Sequence, residues 1–81
     1  MDTVLQGEWV VDLGAMTCFN INFKIIVAFE NRENTLSGKL KYIPMSLFAQ
    51  WAAEPLGLRR IQNTVKEAEG VFLRTYFKYS N

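Results

Sequence analysis

From position 19 to position 29 every odd residue is apolar: Phe19, Ile21, Phe23, Ile25, Val27 and Phe29. Asn20, Asn22 and Lys24 sit between the first of them. Successive side chains of a β-strand point to opposite faces, so this period of two predicts a strand with one buried face. A helix would scatter residues spaced by two onto opposing sides. The run therefore commits the chain to a sheet and predicts a strand over 18–30.

The same period continues on both sides. Leu5, Gly7, Trp9, Val11 and Leu13 alternate with Gln6, Glu8, Val10 and Asp12, which predicts a strand over 4–13. Gly14-Ala15-Met16-Thr17 follows as a turn, with Gly14 suited to a positive φ. Leu36, Gly38, Leu40 and Tyr42 predict a strand over 35–43, joined to its predecessor by a four-residue loop, Asn31-Arg32-Glu33-Asn34. That loop opposes Phe29 to Leu36, Val27 to Gly38, Ile25 to Leu40 and Phe23 to Tyr42, apolar against apolar throughout.

The period changes after Pro44. Ser46 is the expected N-cap of a short helix over 46–53 that carries Leu47, Phe48, Trp51 and Ala52. Pro55 ends it and suits the first turn of the next helix. Beyond it, Leu58, Ile61, Val65, Ala68, Phe72, Tyr76 and Tyr79 recur at helical spacing, opposite Arg60, Asn63, Glu67, Arg74 and Lys78. This predicts a helix over 56–79. Residues 71–79 also alternate, so a fourth strand after Gly70 is the alternative. A glycine inside a helix costs only about 1 kcal/mol, and the helical phase runs through Gly70 unbroken.

The expected fold is a single α+β domain over 1–81. A three-stranded antiparallel meander is covered on one face by a short helix and a long C-terminal helix. The expected core is Trp9, Val11, Ile21, Phe23, Ile25, Val27, Leu40, Trp51, Ile61, Val65 and Phe72.

Composition removes several functions. Nine Lys plus Arg against eight Asp plus Glu give a net charge of +1, without the basic footprint of a nucleic-acid binder. There is no histidine, which removes Ser-His and Cys-His catalysis and imidazole metal sites. The one cysteine, Cys18, permits neither an internal disulfide nor a thiolate zinc cluster, and points to a reducing cytoplasm. No phosphate-binding glycine loop or calcium loop occurs. Glu30 and Glu33 flank a hairpin tip and Glu67 and Glu69 lie on a helix, which is no arrangement for paired-carboxylate catalysis. No catalytic residue, cofactor or metal ligand is expected. Met1-Asp2-Thr3-Val4 has no signal-peptide character. The apolar run Ile25 to Phe29 is far short of the ~20 residues of a membrane span.

Gly7-Glu8-Trp9 resembles the Gly-x-Trp that opens many lipocalin-like barrels, where the tryptophan closes one end. The match covers three residues of a much shorter chain. The order of three strands and two helices looks like several small phage and mobile-element proteins, some anti-CRISPR inhibitors among them. That resemblance implies a bacterial or mobile-element setting.

The expected function is a non-catalytic protein-interaction or assembly domain, acting as a homodimer or on another protein. The sheet face away from the helices is the expected interface. Val10, Ile26, Ala28 and Ile43 fall on it, flanked by Gln6, Glu8, Asp12, Asn20, Asn22, Lys24, Ser37, Lys39 and Lys41. An interface with an apolar centre and polar rim has this mixture. The alternative is a small apolar-ligand domain with a pocket between sheet and helices near Trp9, Trp51 and Tyr76.

Overall fold

Two stretches that read as single strands are hairpins. The computed structural model describes residues 2–79. It contains β1 (Thr3–Gln6), β2 (Trp9–Asp12), β3 (Thr17–Asn20), β4 (Ile26–Arg32) and β5 (Thr35–Tyr42), then α1 (Met45–Ala52) and α2 (Gly57–Tyr79). All five strands form one antiparallel sheet in the order β1-β2-β3-β4-β5. The expected α+β class, meander, short helix and long C-terminal helix are present. The expected three strands are five.

Each extra hairpin has a local cause. Gly7 takes φ 61° between Gln6 and Trp9, which pair with each other. A positive φ at the first of two central residues suits a type II′ turn, whose twist matches the flanking strands. The second break lies inside the 19–29 run. Asn20 Oδ1 accepts from the backbone N–H groups of Asn22 at 3.0 Å and Phe23 at 2.8 Å. Lys24 then takes φ 61°, and Asn20 N–H donates to the Ile25 carbonyl at 2.8 Å. This is an Asx-type turn, in which a short amide side chain replaces strand pairing.

Gln6 pairs with Trp9 and Phe19 with Ile26, so across both turns odd positions share a face with even ones. Cys18 pairs with Val27, and Phe19 with Ile26. Cys18 and Asn20 consequently enter the core, and Phe19 leaves it. Ile21 sits in the turn at 38% exposure and is not a core residue. The remaining expected core residues are buried or pack against the buried cluster. Cys18, Phe29, Ala68 and Val71 join them.

The β4–β5 hairpin is tighter than expected. Its loop is Glu33-Asn34, with φ 52° and 63°, the pattern of a type I′ turn. Phe29 therefore opposes Gly38 and Val27 opposes Leu40. The shift from the expected register is two residues, which preserves the faces. In the β2–β3 turn it is Met16, not Gly14, that takes the positive φ.

The helices cover one face. α1 begins after Pro44 and has no side-chain cap hydrogen bond, so Ser46 lies inside the helix rather than at its N-cap. α2 runs through Gly70 to Tyr79, and no strand forms over 71–79. Its buried positions are Gly57, Ala68, Val71, Phe72 and Thr75, while Tyr76 and Tyr79 of the expected stripe are exposed. The Phe72 ring stacks on Phe29 with centroids 4.4 Å apart. Phe23 meets Trp51 edge-on at 5.2 Å. Gly57 allows the α1–α2 corner to close: a Cβ there would lie 1.4 Å from the Trp51 carbonyl oxygen.

Candidate functional site

The face opposite the helices carries one continuous apolar row. Leu5 pairs with Val10, Val10 with Phe19, Phe19 with Ile26 and Ile26 with Tyr42. Paired residues point to the same side of a sheet, so the five side chains cross it from edge to edge, over about 19 Å at ordinary strand spacing. Val10, Phe19 and Ile26 are half-buried by their neighbours, and Leu5 and Tyr42 are 64% and 51% exposed. The parallel row beside it is Thr3, Asp12, Thr17, Ala28 and Lys39. The Lys24 ammonium lies 5.9 Å from the Phe19 ring centroid.

Three of the four expected interface residues, Val10, Ile26 and Ala28, share this face. Ile43 does not. A register irregularity between Ile26 and Val27 leaves Lys41 as an extra residue on β5, because Val27 opposes Leu40 while Ile26 opposes Tyr42. Such a bulge exchanges the faces of the residues beyond it. Tyr42 turns to the open face, and Ile43 packs against the core. Asn20, expected on the open face, is fully buried. Phe19 is the central residue of the row that sequence reasoning missed. Its signal was the turn chemistry of Asn20 and Asn22, which the apolar alternation overrode.

The residues of the ligand-pocket alternative occupy different settings. Trp9 and Trp51 are 2% and 1% exposed and fill the core. Trp9 also does not close a barrel as the lipocalin resemblance implies, since β1 and β5 are separate edges of an open sheet. Its indole N–H donates to Glu67 Oε2 at 2.7 Å. Tyr76 borders a cleft of about 380 Å³ with Leu13, Met16, Leu36, Leu73 and Phe77, and neither tryptophan lies in its wall.

Carboxylates that could carry chemistry act as acceptors within the fold. Glu8 receives the side-chain amides of Asn20 at 3.0 Å and Asn22 at 2.8 Å, tying two turns together. Glu69 accepts the Gly38 backbone N–H at 2.8 Å, which caps part of the β5 edge. Glu30 pairs with Arg32 at 2.7 Å on the exposed hairpin. Burial pushes the Cys18 thiol up to about 12, and its sulfur faces the Ala68 carbonyl at 3.8 Å. A thiol held protonated is a poor nucleophile. Among the described residues, no group of three or more His, Cys, Asp or Glu side chains could hold a metal ion. No helix among them is long and apolar enough to cross a membrane. No family model, curated protein or solved structure matches this chain.

Proposed function

We propose that the domain works by association rather than catalysis, docking protein on the open face of its sheet. The apolar row Leu5–Val10–Phe19–Ile26–Tyr42 carries this reading. Single exposed apolar residues are ordinary on any surface, but five in register form one strip. Thr3, Asp12, Thr17 and Lys39 border it, giving an apolar centre with a polar margin. The structural work of Glu8, Glu67 and Glu69 supports the non-catalytic half of the proposal. The free thiol of Cys18 suits a reducing, cytoplasmic setting.

Light scattering and amide NMR over a dilution series test this. Mass should rise with concentration, and shifts should move at Val10, Phe19, Ile26 and Ala28. Ile26→Lys should abolish both responses while leaving the fold intact. Association indifferent to Ile26→Lys overturns the proposal, and a wild type monomeric at millimolar concentration removes a second copy as the docked protein.

A further inference from the structure

We infer that the partner on this face is a second copy of the chain, seated by a two-fold axis that runs along β3. The inference rests on the open face being the docking surface and adds what occupies it and in which orientation. Two identical sheets packed face to face can be related by a two-fold along the strands or across them. Both orientations lay the apolar row on its own copy. Charge separates them.

The first 23 residues contain Asp2, Glu8 and Asp12 and no lysine or arginine, while Lys39 and Lys41 lie on β5 and Lys24 in the turn before β4. On the open face, Asp12 of β2 and Lys39 of β5 occupy one row on opposite sides of β3. Glu30 is neutralised on its own strand by Arg32 at 2.7 Å. A two-fold across the strands keeps β1–β2 over their own copies and β4–β5 over theirs, so no Asp12 comes near a Lys39. A two-fold along β3 sets β1–β2 over the β4–β5 side of the other copy and brings each Asp12 toward a Lys39. It also places Phe19 against Phe19 at the centre, Val10 over Ile26, and Leu5 over Tyr42. The approach of opposite charges, present only in the second orientation, selects it.

Zero-length carbodiimide coupling of mixed light and ¹⁵N-labelled wild type tests this directly, since it joins a carboxylate to an amine with loss of water. Within one chain Asp12 and Lys39 are three strand spacings apart, about 14 Å, beyond the combined reach of the two side chains. An Asp12–Lys39 amide with one light and one heavy peptide is the expected product. Charge exchange supplies a second measurement. Asp12→Lys alone and Lys39→Asp alone should each weaken association at least about tenfold, and an equimolar mixture should recover it, because each then meets its complement. Should Asp12→Lys fail to fold, the wild-type cross-link still decides. A dimer sensitive to Ile26→Lys but lacking the Asp12–Lys39 link overturns this inference and leaves the docking face standing. A monomeric wild type overturns this inference.

Discussion

The two faces of this sheet are built from the same strands, yet they solve burial differently. On the helix-covered face, Trp9, Val11, Cys18, Val27 and Phe29 meet Trp51, Ala68 and Phe72 from the helices. Among the described residues every buried side-chain nitrogen or oxygen has a partner: Asn20 with Glu8 and two backbone amides, the Trp9 indole with Glu67, Thr75 with the Val71 carbonyl. On the open face Leu5, Val10, Phe19, Ile26 and Tyr42 pair with one another across the sheet, and the Lys24 ammonium from the β3–β4 turn lies 5.9 Å from the Phe19 ring centroid. The difference separates a face packed under helices from a face open to solvent. A substitution on the covered face should unfold the protein at any concentration, whereas one on the open face should matter chiefly when the protein is concentrated.

The sharpest break of the covered face is Phe72→Ala. Phe72 has no exposed surface and stacks on Phe29, so truncation removes its transfer energy and leaves a cavity. Loss of about 3–5 kcal/mol in urea unfolding is expected. A loss below about 1 kcal/mol would show that α2 is not clamped to the sheet at this position.

A smaller effect is expected where polar groups hold the two turns together. Glu8→Ala deprives the fully buried Asn20 amide of its acceptor, and an unmet buried donor costs about 1–3 kcal/mol. Glu8→Gln keeps an acceptor oxygen and should recover part of the loss. Equal destabilisation by Ala and Gln would show that the carboxylate charge, not the hydrogen bond, joins the turns.

The sequence made the covered face legible where long-range pattern and local chemistry agree. α2 was readable because its apolar positions keep one phase through Gly70, and the β4–β5 hairpin because any even shift of register preserves its faces. The open face was read only in part. Gly7 and Asn20 each mark a turn inside an apparently unbroken alternation, and each of these turns pairs odd positions with even ones. Val10, Ile26 and Ala28 keep the expected face because only β1 and β3 are reversed relative to the odd–even pattern. Leu5 and Phe19, on those two strands, change face, and the bulge at Lys41 moves Ile43 the other way. Hydrophobic period reports that a strand exists; the residues with positive φ, Gly7 and Lys24 among them, report where it turns.

Alkaline pH probes the covered face more gently. Burial raises the folded Cys18 thiol from 9.0 to about 12. Below pH 9 the thiol is protonated in folded and unfolded chains alike, and its contribution is intact. Between pH 9 and about 12 the unfolded thiol ionises while the folded one does not, so stability falls as pH rises, by up to about 1.4 kcal/mol per pH unit. The difference between wild type and Cys18→Ala should therefore narrow or reverse above pH 9. Parallel pH profiles for the two proteins would place the thiol in contact with water.

The smallest effect bears most directly on the open face. Val10→Thr keeps the branched shape and strand preference of the residue but adds a hydroxyl to the middle of the apolar row. In the monomer that hydroxyl points to solvent from a half-buried position, so dilute protein should lose no more than about 0.5 kcal/mol. In an assembled pair the same hydroxyl is trapped between two sheets without a partner, at a cost of about 1–3 kcal/mol. Because the stability of an assembly depends on protomer concentration, the gap between Val10→Thr and wild type should widen across a concentration series of thermal melts. Phe72→Ala should show a large loss already in the most dilute sample. If Val10→Thr shows the same small loss at every concentration, the open face is merely a solvated surface and the asymmetry between the two faces is one of packing alone.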